Sequence, residues 1–284
     1  MMFLLCFISV NAQKNKTVNI SYTYVTSQSE SVEAAKREAL KRAQAQAIED
    51  EFGTFISQSN TNVVTSQNGK SESHFKSIST SDLKGEWIET IGDPQFAVEH
   101  DGNLLIVKCN VKGKIRELVP SKLDFEAHTL CNGYEQKHRR TEFMDGDDFY
   151  LYFQSPYNGY LMVFLVDYTQ EMACCILPYR EAPEQLYKVE KDKEYIFFSR
   201  EYADAAERKI LDSYHLYCDS TVDSNDIYVI FCDVPFVIPT NMLYDESGLK
   251  FLPMKNFDKW IVKLRKDYKD LLIKIYNINI TKYK

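Results

Sequence analysis

The sequence predicts an α+β protein. An N-terminal strand-helix-antiparallel meander module would precede a mainly β, sandwich-like domain that ends in a helix and a closing strand. Two observations favour this class. One long segment has its apolar residues at helical spacing, whereas most other apolar segments are short, alternating and rich in aromatic residues, with 19 Tyr and 17 Phe in the chain. A length of 284 residues suits two ordinary domains.

Composition and charge exclude several classes of protein. Hydrophobic residues make up 44% and charged residues 26%, as in globular proteins, and 10 Gly and 8 Pro are too few for a collagen-like or low-complexity chain. The formal net charge is -7. Because phosphate binding requires a basic surface, we expect no nucleic-acid partner.

The first twelve residues, MMFLLCFISVNA, are typical of a short signal peptide. Phe3 to Val10 is a continuous apolar run that is too short to cross a bilayer as a helix, and no transmembrane segment is expected in the mature chain. Two alternatives remain, a buried first strand and a lipoprotein signal through Cys6. The sequence thus predicts export, either to the periplasm or to an outer-membrane-associated location.

Residues 13–118 are expected to form the α+β module. Thr17 to Thr26 alternates as a strand does. Four alanines then recur at a spacing of four residues, which predicts a helix with a small-residue face: Ala35, Ala39, Ala43 and Ala47. Residues 27–30 would provide its N-terminal cap and Gly53 its C-terminal cap.

Four long strands are expected after the helix. They cover Thr54 to Thr65, Ser71 to Ser81, Trp87 to Glu99 and Asn103 to Val111. Asn68-Gly69 and Asp101-Gly102 are typical of two-residue hairpin turns. One face of this sheet would pack on the helix, and the other would be polar or covered by a partner.

The segment SVEAAKREALKRAQAQAIEDEFGTFIS, followed by Gly85-Glu86-Trp87 and the strand Leu104 to Val111, resembles the N-terminal module of FlgT-type and LPP20-type envelope proteins. The resemblance covers roughly residues 17–118. It implies an exported, non-enzymatic assembly module without catalytic residues, and it does not imply a flagellum.

Residues 119–141 are expected to form a charged, irregular connector with Pro120 at the boundary, and residues 142–237 a β-sandwich made of short strands. The strands are predicted at Tyr150 to Phe153, Tyr160 to Asp167, Met172 to Leu177, Glu194 to Ser199, Lys209 to Cys218 and Ile227 to Cys232. Ala203 to Leu211 has ambiguous spacing and could instead be helical.

Within this domain, Gly146-Asp147, Leu151 to Pro156, Gly159-Tyr160-Leu161 and Leu177-Pro178 resemble the DUF4384 family, whose hallmark is a strand, a glycine-tyrosine turn, a second strand and a proline ending. The resemblance covers roughly residues 142–237. It implies an accessory module of exported or envelope-associated bacterial proteins, with no established activity to transfer.

Residues 238–284 are expected to pack on the second domain. A helical stripe with a candidate cap at Asn256 is formed by Phe257, Trp260, Ile261 and Leu264. Leu271 to Thr281 is predicted to be a closing strand at a sheet edge. A helix followed by a strand resembles the end of Bacteroidetes DUF4384 proteins.

Motifs of known chemistry are missing from the sequence. It contains no G-x-S-x-G, H-E-x-x-H, P-loop, G-x-G-x-x-G or C-x-x-C pattern. His128, Cys131 and His138 have residue types that could bind a metal or form a Cys-His nucleophile pair, but their spacing fits no standard site. The acidic turn Asp145, Asp147 and Asp148 could bind calcium, but it lacks the later glutamate of an EF-hand loop and is also typical of an ordinary turn. We expect no catalytic residues, no cofactor and no metal.

A candidate binding surface lies in the aromatic run after the acidic turn. Its residues are Tyr150, Tyr152, Tyr157, Tyr160 and Asp147. Aromatic rings of this kind stack on sugars or peptides, and the alternative is that the run is simply sandwich core.

Six cysteines remain once Cys6 leaves with the signal: Cys109, Cys131, Cys174, Cys175, Cys218 and Cys232. Disulfides and buried free thiols fit the sequence equally well. The leading hypothesis is a non-enzymatic envelope protein that binds an envelope protein, a peptide or a glycan. The alternative is an enzyme with an unrecognised, thiol-dependent site at Cys131 or Cys109.

Overall fold

The computed structural model describes residues 15–27, 30–54, 83–219 and 221–282. The fold is mainly β, with 46% of the described residues in strands and 17% in helices, which confirms the predicted mainly β, α+β class. The chain divides between Val119 and Pro120 into two compact units. The expected signal peptide, residues 1–12, lies outside the described residues.

The first unit contains a helix and an antiparallel sheet. In the described residues its elements are β1 (Asn15–Ser27), α1 (Val32–Phe52), β2 (Gly85–Thr90), β3 (Gln95–Asp101) and β4 (Leu104–Glu117). β4 is the central strand. It pairs with β1 along one edge and with β3 and then β2 along the other.

Three of the four strands predicted after the helix are not seen as predicted in the described residues. The single strand expected at Trp87 to Glu99 is wrong, because Gly92 has a positive φ of 75° and Pro94 has no N–H, and the chain leaves the sheet between β2 and β3. The strands expected at Thr54 to Thr65 and Ser71 to Ser81, with their turn at Asn68-Gly69, lie outside the described residues apart from a bridge between Thr54 and Leu83.

Helix α1 lies on the sheet through its alanine face, as predicted. Ala35, Ala39 and Ala43 are fully buried and belong to the same cluster as alternate β4 residues from Leu105 to Val111. Side chains this small allow the helix axis to come close to the sheet. On the other face of the sheet β1 and most of β4 present polar side chains, such as Asn19 and Lys112, to solvent.

Both ends of α1 are capped. The N-terminal cap is Ser31, just beyond the predicted range 27–30, and its side-chain oxygen accepts a hydrogen bond from the Ala34 N–H (3.1 Å). Gly53 is the C-terminal cap, as predicted, with a φ of 76° and its N–H donated to the Glu49 carbonyl (2.8 Å).

The second unit contains two sheets and one α-helix in the described residues. Its elements are β5 (Glu126–Cys131), β6 (Glu142–Met144), β7 (Asp148–Gln154), β8 (Gly159–Asp167), β9 (Met172–Leu177), β10 (Tyr187–Val189), β11 (Tyr195–Phe197), β12 (Tyr214–His215), β13 (Val222–Cys232), β14 (Leu243–Tyr244), β15 (Lys250–Pro253), α2 (Met254–Asp267) and β16 (Leu272–Thr281).

The larger sheet has eight strands, in the order β14-β15-β9-β8-β13-β16-β6, with β10 also paired to β8. The smaller sheet has β11 and β12 on one edge of β7 and β5 on the other. All pairings are antiparallel except that of β16 with β6.

The two sheets of the second unit share one buried aromatic cluster. Phe153 of β7 lies 5.7 Å from Phe231 of β13, measured between ring centroids, and 5.1 Å from Phe125. Gly159 has a structural role here, since a Cβ at this position would lie 2.5 Å from the Phe231 ring. Close packing thus explains the glycine of the Gly159-Tyr160-Leu161 segment.

Helix α2 covers the opposite face of the larger sheet. The predicted stripe is confirmed, because all four of its residues are buried: Phe257, Trp260, Ile261 and Leu264. The predicted cap at Asn256 is wrong. The helix already begins at Met254, with Pro253 at the cap position and no side-chain capping bond.

Other expectations for this unit are corrected. The connector expected at 119–141 contains strand β5, which pairs with β7. The strands predicted at Glu194 to Ser199 and Lys209 to Cys218 are much shorter in the structure, where only β11 and β12 are extended and paired. In place of the alternative helix at Ala203 to Leu211 there is a short 3-10 turn, Glu207–Lys209.

The last strand also departs from expectation. β16 lies between β13 and β6 rather than at an edge of the sheet. It pairs with β13 over ten residues, from Val222↔Thr281 to Phe231↔Leu272. The C-terminal segment is therefore part of the sheet and does not merely pack upon it.

Candidate functional site

Alternation along β7 creates two chemically different faces. Phe149, Leu151 and Phe153 point into the aromatic core, whereas Tyr150, Tyr152 and Gln154 occupy the other face of the small sheet. β5 extends that second face, because His128 is the direct cross-strand partner of Tyr152 and Glu126 that of Gln154. The His128 and Tyr152 rings are stacked, 4.5 Å apart.

A cavity of about 260 Å³ lies at the end of β7. Three carboxylates, an amide and two apolar residues line it: Asp124, Glu126, Asp192, Gln154, Phe125 and Pro156. The Gln154 side-chain N–H donates to the Asp192 carbonyl (3.0 Å), and the Tyr152 hydroxyl donates to Gln154 Oε1 (3.3 Å). The Gln154 amide is thus held in place by the Tyr152 hydroxyl and by the Asp192 backbone.

The cavity keeps an excess of negative charge. Lys274 Nζ lies 2.9 Å from Asp124 Oδ1 and 4.6 Å from the centre of the Phe125 ring, so Asp124 has its own counter-ion. Among the described residues, Asp192 forms no closer ion pair than that with Lys191, whose Nζ lies 3.9 Å from its carboxylate. The Glu126 side chain is 59% exposed. In the part of the chain that the structure describes, the Glu126 and Asp192 carboxylates therefore remain available to accept hydrogen bonds from a ligand.

His128 is the most unusual group beside the cavity. Its side chain is 3% exposed, and its Nδ1 lies 3.7 Å from Glu126 Oε1 without a hydrogen-bond partner among the described residues. Burial, helped by the nearby Arg139 charge and opposed by Glu126, lowers the pKa of His128 below its usual value. The imidazole is therefore neutral at pH 7.

Two tyrosines predicted for the binding surface flank this cavity. Burial, followed by the charges of Glu194 and Glu126, raises the pKa of Tyr152, so its phenol is a neutral donor. Tyr157 follows Pro156 in the turn after β7, is 40% exposed and donates its hydroxyl to the Lys122 carbonyl (3.3 Å).

Tyr150 shares the face but points to another aromatic group. Its ring lies 4.7 Å from Tyr134, which in turn lies 5.0 Å from the exposed Tyr202. Burial, followed by contact with Tyr134 and the charge of Asp148, raises the pKa of Tyr150.

Tyr160 and Asp147 are not brought to this surface. Tyr160 is the second residue of β8 in the other sheet and packs against the cluster under α2. Asp147 is buried, and its carboxylate accepts hydrogen bonds from the Met144 N–H (2.7 Å) and the Asn132 side chain (2.6 Å). Burial would raise the pKa of Asp147, but these hydrogen bonds outweigh it and lower the pKa. Asp147 stabilises the turn before β7.

The two clusters considered from sequence do not converge. His128 and Cys131 lie on opposite faces of β5, and the His138 ring contacts the Cys131 backbone carbonyl (3.1 Å) rather than its thiol. In the acidic turn, Asp145 accepts from the Cys218 N–H (2.8 Å), and Asp148 pairs with an exposed histidine. Within the described residues, no group of three or more His, Cys, Asp or Glu is placed to hold a metal ion.

Comparison of the chain with protein-family models, with curated proteins and with solved structures finds no match in any of the three. The resemblances to the FlgT-type and LPP20-type module and to the DUF4384 family therefore stay predictions. Neither α-helix in the described part of the chain is long and apolar enough to cross a membrane.

The thiols do not have the environment of nucleophiles. All six cysteines outside the first twelve residues are free, and only Cys174 is even partly exposed. Burial, together with the hydrogen bond to Asp147, raises the pKa of Cys131 to about 12, and burial raises the pKa of Cys109. Both candidate thiols are therefore protonated and inaccessible.

Sequence reasoning missed the β5 half of the site. β5 has the sequence EAHTLC, and every residue of it except Glu126 is buried. The polar Thr129 and the apolar Leu130 interrupt the alternation, so the sequence carries no clear signal of a half-buried strand here. Gln154, by contrast, could have been found, since it continues the alternation of Tyr150 and Tyr152.

Proposed function

We propose that the protein is an exported, non-enzymatic cell-envelope protein whose C-terminal, sandwich-like unit binds a ligand and whose N-terminal unit serves in assembly. The export signal in residues 1–12, the two family resemblances and the missing catalytic motifs support this reading. The observation that carries the binding role is the cavity at the end of β7, where three carboxylates and the hydrogen-bonded Gln154 amide converge beside the exposed Tyr157.

The lining of the cavity indicates the chemistry of the ligand. Glu126 and Asp192 accept hydrogen bonds, whereas the exposed Pro156 offers a flat apolar contact and the adjacent Tyr157 an exposed ring. A ligand that presents hydroxyl or amine donors next to an apolar face fits this combination. Such donors occur on a sugar and on a peptide, so the partner is an envelope glycan or an envelope protein segment.

The size of the cavity limits what enters it. Pockets for whole small molecules enclose about 300–1,000 Å³, and this one has about 260 Å³. It accommodates one sugar ring or one side chain of a larger partner. Tyr157 at its rim would contact the adjoining part of that partner.

Photo-cross-linking in intact cells tests this proposal. The full chain is produced with benzoylphenylalanine in place of Tyr157, and a matched variant carries it in place of Tyr244, which is 64% exposed on β14. We expect a discrete covalent adduct from position 157 and none from position 244. Mass spectrometry of the adduct then distinguishes a protein partner from a glycan.

Two results would overturn the binding role. One is the absence of any adduct at position 157 although the probe is incorporated and the protein is folded. The other is an identical adduct pattern at positions 157 and 244, which would indicate contacts without a specific site.

A further inference from the structure

A second concave surface lies on the other side of the eight-stranded sheet from the aromatic core, between helix α2 and the loop that follows β13. Its floor is apolar and buried, formed by Leu252, Leu264 and Trp260, which are 1%, 2% and 8% exposed. Its outer wall is the segment Val237 to Asn241. We call this surface the α2 groove.

The α2 groove is held open by two hydrogen bonds to a single loop residue. The Val237 N–H donates to the Tyr268 hydroxyl (3.0 Å), and the Trp260 indole N–H donates to the Val237 carbonyl (3.0 Å). The Val237 carbonyl is thus held by Trp260 of α2, and the Val237 N–H by Tyr268, the residue that follows α2. A wall fixed in this way is formed before any ligand arrives, which lowers the entropic cost of binding.

The groove has room for one side chain. Its volume is about 200 Å³, whereas a cavity of about 150 Å³ already holds benzene. That volume accommodates an aromatic or branched aliphatic group and is too small for a drug-sized molecule. Val237 itself is 54% exposed and extends the apolar surface beyond the groove.

The rim of the groove carries positive charge. Lys259 and Lys263 are exposed, lie one helical turn apart, and take part in no ion pair with any residue in the described ranges. Asp267 is the one acidic residue of the lining. Helix α2 as a whole has five basic and two acidic residues, although the net charge of the chain is -7.

From this combination we infer that the α2 groove binds an acidic peptide segment of a partner protein, with one large apolar side chain inserted between α2 and Val237 and with carboxylates paired to Lys259 and Lys263. Apolar anchors in preformed pockets supply most of the affinity of such contacts, and rim charges select the partner. This inference is independent of the acidic cavity at β7, which has the opposite charge.

Selection from a displayed library of random dodecapeptides tests the inference, with the full chain as the target. We expect enrichment of peptides that combine several Asp or Glu with a large apolar residue. Trp260 reports occupancy of the groove: because the chain has 2 Trp, a Trp87→Phe background leaves Trp260 as the sole indole. Its emission should change as an enriched synthetic peptide is added.

A charge-reversal pair supplies the decisive comparison. Lys259→Glu/Lys263→Glu should weaken the binding of the enriched peptide about tenfold or more. Lys255→Glu/Lys266→Glu makes the same change in net charge on exposed positions of the same helix that do not line the groove, and should change affinity less than about twofold. Unchanged thermal unfolding of both variants would show that α2 remains folded.

Three outcomes would overturn the inference. The first is a library without enrichment, and the second is enriched peptides that bind both charge-reversal variants equally well. The third is concentration-dependent self-association that only Lys259→Glu/Lys263→Glu abolishes, which would make a second copy of this chain the occupant instead of a peptide.

Discussion

The two units bury apolar surface in opposite ways. In the first unit, α1 meets the sheet through alanines, with Ala35, Ala39 and Ala43 fully buried. In the second unit the sheets meet through large rings, with Phe153 within 6.4 Å of three other phenylalanine rings, measured between centroids. The contact between α1 and its sheet therefore requires small side chains, whereas the contact between the two sheets of the second unit requires large ones. The first should be sensitive to enlargement and the second to truncation.

Fluorescence can follow each unit separately. Trp87 belongs to the first unit and Trp260 to the second, and the chain has 2 Trp. Urea unfolding of a Trp87→Phe background therefore reports the second unit, and unfolding of a Trp260→Phe background reports the first. This separation is needed because a chain of two units does not have to unfold in one step.

Truncation of the aromatic core should have the largest effect. Phe153→Ala removes a fully buried ring and should lower the free energy of unfolding of the second unit by about 3–5 kcal/mol. Tyr157→Ala, at an exposed position three residues beyond the end of β7, should change it by less than about 0.5 kcal/mol. Equal effects of the two substitutions would contradict the aromatic-core assignment.

Enlargement of the alanine face of α1 should cause the second-largest loss of stability. Ala39→Leu introduces three extra carbon atoms where α1 contacts β4 and should cost the first unit about 1–3 kcal/mol. Arg37→Leu places the same residue on the exposed side of the same helix and serves as control. If Ala39→Leu were as stable as the control, α1 would not pack as closely on the sheet as described.

Protonation of His128 should lower the stability of the second unit, by less than either of the substitutions above. Its folded-state pKa lies below the usual value near 6.5, so the unfolded chain binds the proton more readily. The neutral side chain therefore contributes full stability above pH 6.5, and this contribution falls as the pH drops toward the folded-state pKa. Between pH 7 and pH 5 the second unit should lose more stability in the wild type than in His128→Phe.

The His128→Phe comparison uses urea unfolding at both pH values with Trp260 as the reporter. Other carboxylates titrate in both proteins, so only the difference between them reports on His128. Equal pH dependence would show that the imidazole is not desolvated in the folded state.

The buried thiols should show no measurable reaction in the folded protein. Cys131 has a pKa of about 12, and the half-buried Cys174 has one of about 11, raised by burial and by the charges of Asp167 and Asp245. We expect no alkylation of Cys131 by iodoacetamide at pH 7.5 in the folded protein, as measured by mass spectrometry, and complete alkylation in urea. Rapid native alkylation of Cys131 would revive the thiol-enzyme alternative.

The sequence predicted the elements whose own residues carry a pattern and missed those that depend on a partner strand. Periodic patterns predicted α1, α2 and β4, because each of these elements has a single buried face. Continuous apolar runs predicted β8 and β13, which are buried on both faces. β11 and β12 are two or three residues long and depend on pairing with β7, so local sequence could not define them. The position of β16 inside the sheet depends on pairing with β13, which lies far away in the chain.

The sequence predicted only those residues of the candidate site that lie on or next to β7, because the others come from distant segments of the chain. Tyr152 and Tyr157 were identified from one aromatic run, but Glu126 and Asp192 enter the cavity from other segments. Glu126 lies at the cavity because β5 pairs with β7, and Asp192 lies there because its carbonyl accepts a hydrogen bond from Gln154. Such long-range contacts leave no trace in the spacing of residues.

The most direct test of the central claim compares partner recovery by cavity and control variants. Tagged full-length protein is cross-linked in intact cells and purified, and bound material is quantified by mass spectrometry. The cavity variant is Glu126→Gln/Gln154→Ala. The control makes the same substitutions at exposed positions of the same unit, Glu135→Gln/Gln136→Ala. We predict that the cavity variant recovers a specific partner at least about tenfold less than wild type and control do. Equal recovery by all three proteins would contradict a binding site at the end of β7.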